Sequence, residues 1–194
     1  MINQDIKMFF DNLALSWDNN ISDNERNNAI ALISNLDIKE GSKVLDLGCG
    51  TGIISNKLQE KTNNILTAID ISSNMIDIAI NKNNNPNINF INIDYYDLND
   101  KFDYIVCFNA YPHFINLDDF ILHTYNILNE NGKLAIVHNI GRNKINDCHK
   151  NIMNISRKIN DVNKEAKLFE KYFDIDYTFE DNNNYLIILK KLNK

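Results

Sequence analysis

Residues 44–52 read Val-Leu-Asp-Leu-Gly-Cys-Gly-Thr-Gly, and this stretch decides the fold. Its apolar residues form a short run typical of a buried strand, and an acid, Asp46, lies inside that run. Alternate glycines follow at once, at Gly48, Gly50 and Gly52. Because glycine has no Cβ, such a run lets the backbone turn tightly and approach a ligand closely. An ordinary glycine-rich turn has no need of a buried acid, so we interpret the stretch as a ligand-binding strand and loop.

Short β-type runs alternate with amphipathic helical patterns through most of the chain, which predicts parallel βαβ units and an α/β fold. An Asn-Gly pair at 131–132 predicts a turn before the fifth strand. Two β-rich runs close together near the end predict an antiparallel hairpin. We expect a Rossmann-like, mostly parallel sheet of about seven strands, with helices on both faces. The predicted strands cover 43–47, 65–70, 88–94, 104–108, 133–139, 172–179 and 185–190, and the predicted helices 4–13, 23–36, 51–59, 72–81, 117–128 and 143–159.

The length of 194 residues, with no linker or repeat, predicts a single domain over 1–194. Residues 1–40 form a helical lid in this interpretation, 41–140 a ligand-binding core, and 141–194 a helix followed by the hairpin. A net charge of −6 and scattered Lys and Arg argue against a nucleic-acid partner.

Cysteine usage and hydropathy bear on the compartment. Cys49, Cys107 and Cys148 are far apart in sequence and belong to no Cys-x-x-Cys pair, which favours reduced thiols in a cytosol. We find no signal-peptide pattern and no apolar run near the roughly 20 residues that cross a bilayer. The sequence therefore predicts a cytoplasmic protein that does not insert into membranes.

Polar side chains fall in or after four successive predicted strands, at Asp46, Asp70, Asp94 and Asn109. In an open parallel sheet, ligands bind beyond the carboxyl ends of the strands. Asp70 lies about 20 residues past the glycines, where a carboxylate can accept both hydroxyls of a ribose. Asp94, followed by Tyr95, suits an exocyclic amine such as that of adenine. The alternative is that these acids only cap the helices that follow.

Two classes of ligand compete for the glycine loop. A dinucleotide site has its third glycine one residue later than Gly52, and its pyrophosphate needs a helix N-terminus rather than a carboxylate. Asp46 would repel that anion. It suits a cationic ligand, and S-adenosylmethionine (SAM) carries an ammonium and a sulfonium but no phosphate. We therefore favour SAM.

The stretch 44–52 resembles the first motif of the class I SAM-dependent methyltransferases. The similarity covers roughly residues 5–140, and the subgroup of quinone and small-molecule methyltransferases looks nearest. Trp17-Asp18, after Phe9-Phe10-Asp11, resembles an aromatic-Asp pair on the lid helix of that subgroup. The other matching segments are Ala68-Ile-Asp-Ile-Ser-Ser-Asn-Met75, Phe90-Ile-Asn-Ile-Asp94, Phe102-Asp-Tyr-Ile-Val-Cys107 and Leu128-Asn-Glu-Asn-Gly-Lys-Leu-Ala-Ile136.

This resemblance implies an enzyme that transfers a methyl group from SAM to a small-molecule acceptor. It also implies site residues, by position. Asp46 and the three glycines would face the amino-acid end of SAM, and Asn109 with Ala110 would lie beneath its methionine part. The remaining implied cofactor-binding residues are Asp70 at the ribose, Ile71 and Met75 beside the adenine, Asp94 and Tyr95 at its amine, and Trp17 on the lid.

The segment Asn109-Ala-Tyr-Pro-His-Phe114 is the most unusual loop on the expected acceptor side. Its first letters resemble the Asn-Pro-Pro-Tyr of methyltransferases that act on nucleic-acid amino groups. The order differs, because Pro112 follows the aromatic residue. Together with the acidic net charge, this argues against a nucleic-acid substrate.

Histidines are the candidates for acceptor chemistry. We expect His113 and His138 to line the acceptor pocket as catalytic residues, since a neutral imidazole accepts a proton near neutral pH. If the helix after the fifth strand folds back, His149 joins them, and the three imidazoles become candidate metal ligands with Cys148 or Asp147. The alternative places Cys148 on a buried helical stripe and makes His138 an ordinary strand-end residue.

Two other functions stay open at this stage. A non-catalytic SAM-binding or metal-responsive regulator would keep the donor site and sense a ligand through its histidines. An NAD-dependent oxidoreductase would bind a dinucleotide at the glycine loop instead.

Overall fold

The computed structural model describes residues 2–193, and within them the chain forms seven strands and seven α-helices. The strands are β1 (Val44–Leu47), β2 (Leu66–Asp70), β3 (Ile88–Asn92), β4 (Phe102–Phe108), β5 (Leu128–His138), β6 (Phe173–Glu180) and β7 (Tyr185–Lys191). The helices are α1 (Ile2–Trp17), α2 (Asp23–Ser34), α3 (Ser55–Thr62), α4 (Ser73–Lys82), α5 (Leu117–Ile127), α6 (Arg142–His149) and α7 (Val162–Lys167). Short 3-10 helices cover Asp18–Asn20, Tyr95–Asp97 and Tyr111–His113.

The strands follow the order β3-β2-β1-β4-β5-β7-β6 in one sheet. The chain divides into two compact units, Met1–Leu98 and Asn99–Lys194. The expected α/β fold with a mostly parallel seven-stranded sheet is confirmed. The single domain with its three segments stays a prediction.

The first unit is a parallel three-stranded arrangement in which β2 pairs with both β1 and β3. Helices α2 and α4 begin where polar side chains satisfy free N–H groups of the first turn. Ser22 and Glu25 form a capping box at α2, and the Ser72 hydroxyl accepts from the Met75 N–H at the start of α4. All four residues of β1 are buried, the acid included.

The second unit contains the antiparallel part of the sheet. β4 and β5 run parallel, whereas β7 runs antiparallel to both β5 and β6. The closing hairpin predicted from the two C-terminal runs is therefore confirmed. Large aromatic side chains fill the core of this unit, among them Phe102, Tyr111, Phe120, Phe169, Phe173 and Tyr185.

The Asn-Gly pair at 131–132 does not end a turn before the fifth strand. β5 already begins at Leu128, which pairs with Phe102, and the register then shifts so that Lys133 pairs with Tyr104. The extra residues form an irregularity inside the strand, where Asn131 has a φ of 60°. Asparagine tolerates this left-handed conformation because its short side chain can hydrogen-bond locally.

The helix expected over 143–159 is much shorter. α6 ends at His149, and the chain is irregular from there to residue 160. Polar side chains take backbone partners that a longer helix would have used. The Asn146 amide bonds both the N–H and the carbonyl of Ile159, and the Ser156 hydroxyl donates to the Ile152 carbonyl. Residues 155 and 159 are still buried, so the apolar pattern was informative while its helical interpretation was wrong.

Between residues 2 and 193, every helix is too short or too polar to cross a lipid bilayer.

Candidate cofactor and acceptor residues

The glycine loop after β1 adopts the left-handed backbone that its sequence favours. Gly48, Gly50 and Gly52 have φ values of 70°, 52° and 81°. The φ of 81° favours glycine at residue 52, and a Cβ built there would lie 3.2 Å from the Phe90 ring, which would have to shift slightly. A Cβ on Gly50 would meet nothing within 4 Å, so the loop has open space at that residue.

Asp46 is a buried carboxyl with an incomplete set of partners. The Ser55 hydroxyl donates to Oδ2 at 2.7 Å, whereas Oδ1 is buried and has no hydrogen-bond partner among residues 2–193. Burial raises the pKa of Asp46 to about 7; the Ser55 hydrogen bond opposes this rise and the Asp70 carboxylate adds to it. A buried charge this poorly compensated is costly unless a cation or donor arrives. The site therefore fits a ligand that carries a positive charge.

Asp70, at the end of β2, holds the loop in place. Its Oδ2 accepts from the Gly50 N–H at 2.9 Å, and its Oδ1 accepts from the Ser72 N–H at 2.8 Å. Asp70 therefore has a structural role of the kind considered as the alternative to ligand binding, because it accepts from backbone N–H groups of the loop and of the residue that precedes α4. Each carboxylate oxygen can accept a second bond, so both remain able to accept hydroxyl donors.

Asp94 ends the third strand region in a similar way. Its Oδ1 caps the following 3-10 helix by accepting from the Tyr96 N–H at 3.1 Å. Its Oδ2 accepts from the side-chain amide of Asn3 on α1, a residue that the sequence analysis did not single out. Of the apolar residues expected near an adenine, Met75 and Tyr95 are buried and Ile71 is half-buried.

The N-terminal helix is tied to this region by side-chain hydrogen bonds. Asp11 accepts from the Ser72 hydroxyl at 2.6 Å, and Asp18 accepts from the Thr51 hydroxyl of the glycine loop at 2.7 Å. Trp17 packs edge-on against Phe10 at 5.7 Å and is half-buried. Asp11 and Asp18 were noticed only as part of a family-like aromatic-Asp pattern. Only the fold brings their partners into reach.

In the second unit, Asn109 follows β4 with a φ of 54°. Its side-chain amide donates to Asn139 Oδ1 at 2.8 Å, and its Oδ1 accepts from the Asn139 N–H at 3.3 Å. This reciprocal pair joins the carboxyl ends of β4 and β5. Neighbouring Tyr111 is fully buried against Phe120, so it belongs to the core and not to an open pocket.

The structure brings two of the candidate histidines together. The Nε2 atoms of His113 and His149 are 3.3 Å apart. His138 is fully buried, and within the described part of the chain its Nε2 has no hydrogen-bond partner. Burial lowers the pKa of His138 to about 3 and that of His113 to about 4. Both imidazoles are therefore neutral at pH 7.

The other proposed metal ligands are not assembled. Cys148 is exposed, so its assignment to a buried stripe was wrong, and Asp147 is exposed as well. Among residues 2–193, no group of three or more His, Cys, Asp or Glu side chains is arranged to hold a metal ion.

A buried carboxylate that sequence reasoning missed lies beside the loop at 109–114. Glu165 on α7 accepts from the Tyr111 hydroxyl at 2.7 Å and from Arg157 at 2.6 Å. Its second oxygen accepts from the backbone and side-chain N–H groups of Asn160. Arg157 also lies over the Tyr111 ring at 4.5 Å and donates its backbone N–H to the Pro112 carbonyl. No local motif indicates this network, because its members come from separate segments.

Comparison with known proteins agrees with this geometry. Residues 44–132 match a family model described as a methyltransferase domain. A malonyl-[acyl-carrier protein] O-methyltransferase of Ilyobacter polytropus is 27% identical over 155 residues, 78% of this chain and 55% of that protein. A ubiquinone biosynthesis O-methyltransferase of Rickettsia akari is 35% identical over 106 residues, 53% of this chain and 41% of that protein. The chain thus spans about half the length of these relatives.

A solved structure has the same fold over nearly the whole chain. The magnesium protoporphyrin IX methyltransferase of Synechocystis PCC 6803, solved with bound S-adenosylhomocysteine (SAH), gives a TM-score of 0.74 at 15% identity, covering 99% of this chain and 100% of that one. The fold of this chain is thus Rossmann-like. The domain match over residues 44–132 and the two O-methyltransferase relatives support a place in the class I methyltransferase family.

Proposed function

We propose that this protein binds SAM and transfers its methyl group to a small-molecule acceptor. One observation carries the proposal, namely the buried Asp46 Oδ1 atom without a partner next to a left-handed glycine loop. An unpaired buried carboxylate strongly favours a cationic ligand. The family match and the SAH-bound neighbour support the same cofactor.

The residues of the first unit are suited to hold such a cofactor. In this proposal Asp46 binds the ammonium group, Asp70 accepts the ribose hydroxyls, and Asp94 accepts from the adenine amine once Asn3 yields that oxygen. SAM supplies an electrophilic methyl group on a sulfonium, with a good leaving group. The further proposed contacts are Gly48, Gly50, Gly52, Ile71, Met75, Tyr95, Trp17 and Asn109.

The residues of the second unit are proposed to serve the acceptor. A methyl transfer needs the acceptor held at near-attack geometry and, where the acceptor carries a proton, a group to take it. We propose His113 and His138 for this side. Neutral imidazoles keep a lone pair for a proton, although pKa values of about 4 and about 3 make His113 and His138 weak bases at pH 7. Among residues 2–193, His138 Nε2 has no competing hydrogen-bond partner.

The names of two relatives, a malonyl-[acyl-carrier protein] O-methyltransferase and a ubiquinone biosynthesis O-methyltransferase, and that of the structural neighbour, a magnesium protoporphyrin IX methyltransferase, support the choice of acceptor class. We propose a small organic acceptor and no nucleic-acid substrate, in keeping with the net charge of −6. We also propose a cytoplasmic location, because Cys49, Cys107 and Cys148 are all free thiols. The chain acts as one domain in this proposal.

Calorimetry with SAM, SAH and NADH tests the cofactor. We expect saturable binding of SAM and SAH and none of NADH. Protein incubated with methyl-labelled SAM and acceptors of the three classes should then form labelled product and SAH. Binding without turnover on any acceptor would favour a regulator, and binding of NADH alone would favour an oxidoreductase.

A further inference from the structure

The hydrogen bonds of His113 and His149 place two nitrogen lone pairs next to each other. The Nδ1 atom of His113 is 2.9 Å from the Ile155 carbonyl oxygen, and the Nδ1 atom of His149 is 2.7 Å from the Ile145 carbonyl oxygen. A carbonyl oxygen can only accept a hydrogen bond, so both Nδ1 atoms must carry the proton. When the rings are neutral, both Nε2 atoms therefore carry a lone pair.

These lone pairs belong to atoms only 3.3 Å apart. The ring centroids are 4.9 Å apart and the ring planes cross at 62°. Two acceptor atoms at this distance repel each other unless a positive species lies between them. The arrangement is held from outside the pair, because the Arg157 N–H bonds the Pro112 carbonyl and fixes the segment after α6 beside the loop of His113.

We propose that His113 and His149 form a binding site for a divalent transition-metal ion such as Zn²⁺ or Co²⁺. Two nitrogens bound at about 2.0–2.1 Å to a tetrahedral zinc ion are about 3.3–3.4 Å apart, which matches the observed separation. Imidazole nitrogen is a preferred ligand for these ions, whereas Mg²⁺ prefers oxygen.

The surroundings of the pair are those that metal-binding histidines need. A ligating histidine almost always donates its other ring N–H to a carbonyl or carboxylate, which fixes its tautomer and orientation. Both members of the pair do so here. His113 and His149 are both half-buried residues, so an ion bound between them can keep water on its remaining positions. Because the preformed site has two protein ligands, open positions are left for water or another ligand.

His138 is not assigned as a ligand, and it keeps the proton-accepting role proposed above. The metal site shares His113 with the proposed acceptor side, and a bound ion would take the Nε2 lone pair of that residue, so proton acceptance in the metal-loaded protein would fall to His138. Binding of SAM does not involve the metal site. A protein without methyltransferase activity would still show the metal, and a methyltransferase without metal would still bind SAM. The two proposals therefore fail separately.

A titration of the metal-free protein with Co²⁺ at pH 7.5, monitored by visible absorption, tests the site. The background is Cys148→Ser, which removes an exposed thiol that binds metals on its own. We expect saturable one-to-one binding, displaced by Zn²⁺. His113→Gln and His149→Gln should each weaken binding at least about tenfold. His123→Gln is the matched control, because this histidine lies on α5 outside the pair, and should bind like the background.

Circular dichroism of every variant establishes that the fold is kept, and His149→Gln, at the end of a helix, is the mildest change. Absence of saturable Co²⁺ binding to the background protein would overturn the proposal. Equal binding by His149→Gln and the background would also overturn it. The proposal would also be overturned if nitrogen NMR at pH 7.5, with metal in excess, showed a proton between the two Nε2 atoms. The two rings would then share a proton instead of binding an ion.

Discussion

Asp46 and Glu165 are both completely buried carboxyl groups, and the structure treats them in opposite ways. Glu165 accepts four hydrogen bonds from side chains and backbone, one of them from Arg157. Asp46 accepts one, from Ser55, and its other oxygen has no partner. The pKa values of the two carboxyl groups are shifted in opposite directions for this reason. That of Glu165 is lowered against its burial by Arg157 and its hydrogen bonds, whereas burial dominates for Asp46 and raises its pKa.

The difference separates a structural acid from a binding acid. A buried carboxylate whose partners are all supplied by the protein fixes the segments that supply them. One with a missing partner destabilises the empty protein and becomes favourable when a ligand provides the missing charge. Substitutions that change one of the two acids at a time test this comparison.

Replacing Glu165 should have the largest effect on stability. Glu165→Ala leaves the Arg157 guanidinium without its acid partner, and breaking such a buried pair costs about 3–5 kcal/mol. Urea denaturation measures the loss of unfolding free energy. Glu170→Ala, at an exposed acid five residues further on, should stay within about 0.5 kcal/mol of the parent. A small effect of Glu165→Ala would mean that Glu165 is not a structural acid.

Replacing Asp46 should affect ligand binding instead. Asp46→Asn removes the charge that would pair with the SAM ammonium, and truncating one partner of a buried charge pair costs about 2–5 kcal/mol, a loss of affinity of roughly 30-fold or more. Calorimetry with SAM measures it, and Asp77→Asn on the exposed face of α4 serves as control. Unchanged affinity in Asp46→Asn would remove Asp46 from the cofactor site.

The pH dependence of stability should also reveal Asp46. Its folded pKa of about 7 lies above its ordinary value of 3.8, so its protonated form favours the native state and this contribution is lost as pH rises to 7. The parent should lose about 2–3 kcal/mol relative to Asp46→Asn between pH 5 and 8. The ionisable groups that influence the carboxyl, Asp70 and Cys49, are present in both proteins. A constant difference across this range would contradict the buried charge.

Single hydrogen bonds should give the smallest effects. Tyr111→Phe removes one bond to Glu165, which still holds Arg157 and Asn160, and should cost about 1–2 kcal/mol. Ser55→Ala removes the only bond to Asp46 and should raise the pKa of that carboxyl further. Denaturation curves measure the first, and the pH profile of stability measures the second. Equal pH profiles for Ser55→Ala and the parent would mean that the Ser55 bond does not matter.

Most of the fold could be predicted from the sequence because its signals are local. The strand and glycine loop at 44–52, the cap at Ser72 and the C-terminal hairpin each depend on neighbours in sequence. The long helix after β5 was mispredicted for a physical reason. The Asn146 side chain replaces helical hydrogen bonds with its own, and an apolar period alone does not register such competition.

The candidate site was only partly predictable. The strand pattern predicts that Asp70 and Asp94 lie at the ends of strands, and the structure has Asp70 at the end of β2 and Asp94 just after β3. The sequence pattern does not predict the partners of the buried and strand-end acids, because the Asn3 amide is 91 residues from Asp94 and Glu165 is 54 residues from Tyr111. Such pairs arise only when the chain is folded.

The ties of α1 have a kinetic consequence. This helix contacts the start of α4 through Asp11 and the strand-end acid Asp94 through Asn3, and the 3-10 helix that follows it contacts the glycine loop through Asp18. A nucleoside ligand that bonds to the Asp94 oxygen held by Asn3 can do so only after this hydrogen bond of α1 has broken. We expect deletion of residues 1–20 to speed both arrival and departure of SAH in stopped-flow measurements. Residence time on this protein would then be set by the opening of its first helix more than by the contacts beneath it.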